Sequence, residues 1–207
     1  MFSVAYDGTW NMIDLVNSKI LTSVKESDIQ FCSAKVHPDG RIFSVGTNNG
    51  TNSNLAIYDI SERSKIHEFV GHQDGIESIS FSDNGYLVAT GSRDGTCKIW
   101  DLRKLNCRET IPISEGSTVY SVEFDASGHY LGCATGNDVS IYSTGKQWNL
   151  LNKMDGHKQP VTSLAWGKNA KHIYSASLDS TVVKYYFDEE DLQEEGVDGG
   201  GDEENME

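Results

Sequence analysis

The chain has 207 residues, a net charge of −14 and a pI near 4.7, and its 37% hydrophobic content is enough for a packed core. Eleven of its 31 acidic residues lie between Asp188 and Glu207, where no Lys or Arg occurs, so the body carries 20 acids against 17 bases. This balance excludes a basic patch for a phosphate backbone, and the sequence has neither a run of about 18 apolar residues for a membrane helix nor a signal-peptide pattern in "MFSVAYDGTW".

In chain order, residues 1–24 supply three short strands around "AYDGTWNMIDL". A second unit over 28–70 holds "FCSAKVHPDGRIFSVGT" and then "TNNGTNSNLAIYDI". A third, 76–113, reads "IESISFSDNGYLVATGS" followed by "SRDGTCKIWDL", with strands expected near Ile76–Phe81, Tyr86–Ser92, Thr96–Asp101 and Cys107–Ile113. A fourth, 118–154, carries "VYSVEFDASGHYLGCAT" and the shortened "TGNDVSIYS". The fifth, 161–187, holds "VTSLAWGKNAKHIYSAS" and "SLDSTVVKYYF" and stops after its third strand. Residues 188–207 form an acidic tail whose composition predicts disorder.

These units are copies of one plan. Their turn residues Asp7, Asn49, Asp94, Asn137 and Asp179 are spaced by 42, 45, 43 and 42. The anchors Val36, Phe81, Phe124 and Trp166 lie 45, 43 and 42 apart. Period-two alternation between short turns argues for strands, and none of the three prolines falls in mid-strand. A period near 43 with Gly71-His72 and Trp100-Asp101 is the signature of WD-repeat β-propellers. The expected fold is all-β: about four and a half four-stranded blades, with 18 strands split three, four, four, four and three, in an incomplete ring. Because the first unit begins in mid-blade, the sequence reads as a fragment or truncated product, the alternative being a whole chain that forms an open arc.

The resemblance to WD repeats implies a hydrogen-bonded staple in the third blade. His72 would donate to Asp94, its other nitrogen would meet Thr90, and Thr90 would accept from Trp100. The last blade matches with His157, Asp179, Ser175 and Tyr185. The other copies are degenerate. The second has Tyr58 but no Gly-His, and Val45 where a hydroxyl is expected; the fourth reads "EGSTV" in place of Gly-His; the first has Ile13 in place of Trp. The third blade is therefore expected to be the best ordered. The same resemblance places the residues just before the turn, Tyr6, Arg93 and Leu178, on the partner-binding face.

His72–Asp94–Thr90 has the composition of a catalytic triad, but a triad needs an exposed nucleophile and an oxyanion hole, and the motif supplies neither. No catalytic residue is expected. No metal site or cofactor is expected either: Cys32, Cys97, Cys107 and Cys133 form no CxxC pair or Cys/His cluster, as suits reduced thiols in an intracellular protein.

Two stretches outside the generic signature, "KIWDLRKLNCRETI" and the segment holding Lys146-Gln147-Trp148, resemble the C-terminal propeller of the pre-mRNA-processing factor nineteen family. These are splicing-associated ubiquitin ligases with a U-box and a coiled coil, and the resemblance covers roughly Thr22 to Tyr186. It implies a nuclear, non-catalytic scaffold that binds splicing-complex subunits or ubiquitination substrates. Nucleic acid, membrane and small molecules are not expected as direct partners. No U-box or heptad repeat is visible, so ligase activity is not expected of this chain alone. The alternative is a WD-repeat adaptor of another intracellular complex.

Overall fold

The computed structural model of the chain describes residues 1–113, 116–145 and 147–187, so the expected acidic tail, Lys146 and part of the "EGSTV" segment lie outside the described residues. Eighteen strands form five antiparallel sheets, and the described residues contain no α-helix, only a 3₁₀ turn at Lys168–Ala170. The first sheet has β1 (Phe2–Val4), β2 (Thr9–Asp14) and β3 (Lys19–Lys25). The second has β4 (Phe31–Val36), β5 (Ile42–Thr47), β6 (Ser53–Asp59) and β7 (Lys65–His72). The third has β8 (Ile76–Phe81), β9 (Leu87–Ser92), β10 (Thr96–Asp101) and β11 (Asn106–Pro112). The fourth has β12 (Val119–Phe124), β13 (Tyr130–Thr135), β14 (Asp138–Ser143) and β15 (Leu150–Asp155). The last has β16 (Val161–Trp166), β17 (His172–Ser177) and β18 (Val182–Tyr186). Every sheet is a meander of sequential neighbours, none closes on itself, and together they make an incomplete propeller.

Two third-sheet strands differ by one residue from the sequence reading. Leu87, not Tyr86, opens β9, because the Asn84 side chain caps the amide of Tyr86 and holds it in the turn. The fourth strand runs Asn106–Pro112, where Asn106 pairs with Asp101 and Pro112 with Thr96.

The middle strands β5, β9, β13 and β14 are buried along nearly their whole length, because the inner sheets pack against a neighbouring sheet on each face. Leu55, Ile57 and Phe69 of the second sheet pack on Ile76, Ile79 and Phe81 of β8. Ala89, Cys97 and Ile99 pack on Val119, Val122 and Phe124 of β12. Ala134, Val139 and Ile141 pack on Val161 and Leu164 of β16. In the first pair, Trp10, Met12 and Phe2 meet Phe31, Phe43 and Tyr58. The innermost strands β4, β8, β12 and β16 thus touch in sequence.

Serine side chains tie these inner strands together one repeat apart. Ser33 Oγ donates to the Ile76 carbonyl at 2.7 Å, the Val122 amide donates to Ser78 Oγ at 3.1 Å, and the Leu164 amide donates to Ser121 Oγ at 3.2 Å. Trp166 Nε1 donates to the Glu123 carbonyl at 2.8 Å. His37 adds a further link between neighbouring sheets. Its Nε2 is 3.0 Å from the Gly85 carbonyl in the next sheet, and its ring meets Phe81 edge-on.

This close approach requires small residues in the second strand of the second, third and fourth sheets. A Cβ on Gly132 would lie 2.8 Å from Ile173 Cδ1, and one on Gly91 would lie 2.8 Å from Val119 Cγ1. The Gly132→Val variant is expected to lose about 1–3 kcal/mol through overpacking between the fourth and fifth sheets. Urea denaturation midpoints of this variant and wild type measure the loss, and an unchanged midpoint would remove the close-approach argument.

Candidate functional site: the blade staple and the turn face

In the third sheet the turn Arg93-Asp94-Gly95 joins β9 to β10, and Gly95 adopts φ +79°, a left-handed conformation open to glycine at little cost. The turn holds the Asp94 carboxylate over the end of β7, where His72 is only 2% exposed. His72 Nδ1 lies 2.8 Å from Asp94 Oδ2, and Nε2 lies 2.7 Å from Thr90 Oγ1. Trp100 Nε1 donates to the same Thr90 oxygen at 2.9 Å. The ionised Asp94 can only accept, so Nδ1 of His72 carries the proton, and the lowered pKa keeps the imidazole neutral, leaving Nε2 to accept from the Thr90 hydroxyl. Asp94 also accepts from the Gln73 amide at 3.0 Å, the Thr96 amide at 2.9 Å and the Thr96 hydroxyl at 2.6 Å.

These contacts set opposing electrostatics. Burial holds the His72 imidazole below its ordinary pKa, only partly countered by the Asp94 carboxylate. Burial pushes the Asp94 carboxyl upward, but hydrogen bonds from His72, Thr96 and Gln73 outweigh it and hold that group well below the usual carboxylate range. Among the described residues the hydroxyl in reach of His72 Nε2, that of Thr90, is fully buried and already accepts from Trp100. The set is chemically a clasp between strands, with no route for a substrate to the oxygen.

The last sheet repeats the arrangement with one change. His157 Nδ1 is 3.0 Å from Asp179 Oδ2, Nε2 is 2.6 Å from Ser175 Oγ, and the Lys158 amide donates to Asp179 at 2.9 Å. Tyr185 occupies the place of Trp100 and is directed toward Ser175, but among the described residues its buried hydroxyl has no well-formed hydrogen bond. The second sheet solves the same problem differently. Val45 offers no oxygen at the Thr90 position, and the Tyr58 hydroxyl donates instead to Glu26, 32 residues away. Glu26 was not singled out by the sequence. The signal was the copy lacking both Gly-His and hydroxyl, whose tyrosine needed another acceptor.

The three turn-face residues are not equivalent. Arg93 Nη2 donates to the Tyr6 hydroxyl at 3.1 Å, and its Nε pairs with Glu77. The structure therefore joins the first and third sheets through side chains 87 residues apart. Beside Tyr6 a groove of about 620 Å³ is lined by Asp7, Asp28, Gln30, Asn48 and Asn49. The Leu178 amide repeats the backbone contact of Arg93, donating to Pro160 O at 3.0 Å as Arg93 does to Gly75 O. Its side chain is 61% exposed and is not joined to the Tyr6–Arg93 pair.

Removal of either staple partner leaves a buried group unsatisfied. His72→Ala and Asp94→Ala are each expected to cost about 1–3 kcal/mol, and the double variant less than the sum of the singles. His129 is exposed, and among the described residues its ring meets only Ser127 and Tyr130, so His129→Ala is the near-silent control. Additive losses, or an equal loss at His129, would dissolve the proposed coupling. Acid is expected to act in the same direction as these mutations. The folded-state pKa of His72 is depressed, so the stability tied to its neutral form is present above the unfolded value near 6.5 and is lost as pH falls below it. Asp94, also depressed, adds a loss as pH falls below about 4. Denaturation midpoints measured between pH 7.5 and 5 are expected to fall in wild type and to fall less steeply in His72→Gln; parallel slopes would contradict this.

The profile of the family described as WD domain, G-beta repeat matches residues 63–101 and 148–185. The chain is 37% identical over 195 residues to Pre-mRNA-processing factor 19 of Oryza sativa subsp. japonica, covering 90% of this chain and 36% of the relative. It is 34% identical to Pre-mRNA-processing factor 19 homolog 2 of Arabidopsis thaliana, over 87% of this chain and 34% of the relative. With the human Pre-mRNA-processing factor 19 it shares 38% identity, over 87% and 35%. The chain thus spans about a third of the length of these relatives. With its repeated sheets and staple geometry, the chain carries WD40 repeats and is similar over about 90% of its length to part of the pre-mRNA-processing factor 19 proteins.

Proposed function

We propose that this chain is a non-catalytic protein-interaction scaffold of pre-mRNA splicing, acting in the nucleus, and that it binds its partners through the turn face carrying Tyr6 and Arg93. The observation that carries the splicing assignment is 37% identity, sustained over 90% of the chain, to a protein named for pre-mRNA processing. The interaction role rests on architecture: radially stacked repeats present extended surfaces built from their connecting turns. The turn face supplies an aromatic ring beside a guanidinium, the residue types that concentrate binding energy at interfaces. Near-neutral charge outside the acidic segment argues for protein rather than nucleic-acid ligands. A role in binding substrates for a splicing-associated ubiquitin ligase belongs to the same proposal, the transfer chemistry being supplied elsewhere.

The test is co-purification of the full chain with splicing-complex subunits from nuclear extract, with wild type and Arg93→Ala in parallel. Wild type is expected to retain those subunits. Arg93→Ala is expected to retain at least several-fold less at an unchanged melting temperature, because the Arg93–Glu77 pair is partly exposed and contributes little to stability. Equal retention would discard the turn face, and recovery of an unrelated complex by wild type would discard the splicing role.

A further inference from the structure

The face of the last sheet that points onward along the array differs in kind from its counterparts. In the second, third and fourth sheets that face is centred on a buried isoleucine in the third strand, Ile57, Ile99 and Ile141, none more than 2% exposed. Cross-strand from each sits a small residue, Ser44, Ala89 or Gly132. These small partners admit the next inner strand. In the last sheet the same register places Lys184 at the isoleucine position and Tyr174 at the small position. Val182, which takes the place of the fully buried Cys97 and Val139, is 70% exposed.

Lys184 is not loose on this face. Its ammonium lies 4.5 Å from the Tyr186 ring centroid and 5.2 Å from that of Tyr174, and His172 packs edge-on against Tyr174. Hydrogen bonds to Tyr186 and Tyr174 raise its pKa, so it stays charged at neutral pH. No carboxylate pairs with it among the described residues. A tyrosine at the small-residue position blocks a further blade of ordinary construction. An aromatic clamp holding an uncompensated ammonium instead suits carboxylates, with two phenol hydroxyls as added donors.

We propose that this face is the docking site of the chain's own acidic segment, residues 188–207. That segment begins one residue beyond Phe187, whose amide is fixed to the Lys171 carbonyl at 3.0 Å beside the clamp. It carries eleven carboxylates and no Lys or Arg. Its twenty residues reach at most roughly 66 Å, more than enough to cross one sheet. Tethering at that distance gives an effective concentration on the order of millimolar, so a weak charge-driven contact is populated.

The experiment measures the acetylation rate of Lys184 by mass spectrometry in the full chain, with exposed Lys19 as internal reference. Three samples are compared: wild type, a variant with every Asp→Asn and Glu→Gln change made across residues 188–207, and wild type in 1 M NaCl. Lys184 is expected to react about fivefold or more slowly in wild type than in the neutralised variant. Salt is expected to remove the difference, because screening at that strength acts within about 3 Å. The Tyr186→Ala variant is expected to lose the protection while retaining the wild-type denaturation midpoint. Equal Lys184 rates in wild type and the neutralised variant would overturn the proposal. So would protection that rises with protein concentration, which would assign the face to a second copy.

Discussion

The structure depends on the distance at which one sheet can approach the inner strand of the next. A glycine, alanine or serine opposite an isoleucine sets that distance, and everything radial follows from it. Where Gly132 and Gly91 leave no room even for a methyl group, the facing Ile173 and Val119 fill the space and exclude water. The serine bonds from Ser33, Ser78 and Ser121 fix the sliding coordinate along the strands, which dispersion alone leaves soft. The His–Asp staple is subordinate to this packing. It pins a turn and a strand end within a sheet already placed by its neighbours, which explains how the second sheet manages with Tyr58 and Glu26 instead.

Much of this was legible in the sequence because the repeat states it five times. A single copy of "SRDGTCKIWDL" is ambiguous, but a turn residue recurring every 42 to 45 positions is not. Strand number and the partial first and last sheets followed from the same count. The staple partners were reachable because the imidazole, carboxylate, hydroxyl and indole each occupy a fixed offset in the repeat. What escaped was pairing between repeats, which no offset encodes. Nothing in the letters around His37 points to Gly85, 48 residues away, nor around Tyr6 to Arg93. Sheet ends were misjudged by one residue where a side chain outside the pattern, Asn84, competed for a backbone amide.

The division between scaffold and surface is consistent along the chain. Buried polar side chains such as His72, Thr90 and Ser175 are spent on strand geometry, and their partners are all internal. The residues free to meet another molecule lie on the turns, on the exposed outer strands and on the unmatched face of the last sheet. In a repeat protein of this kind, recognition is expected to change by substitution at turn tips with little effect on the fold, because the turn backbone is held by its own hydrogen bonds whatever the preceding side chain. The Leu178 position makes this concrete: it keeps the backbone contact of Arg93 and shares none of its side-chain chemistry.

The Arg93–Tyr6 bond reaches from the third sheet to the first across the whole width of the second. Nearest-neighbour packing fixes each angle between adjacent sheets separately, and small errors in two such angles would add. A bond that skips a sheet constrains their sum. It works as a chord across an arc, and its length is a ruler on the curvature of the sheets it spans.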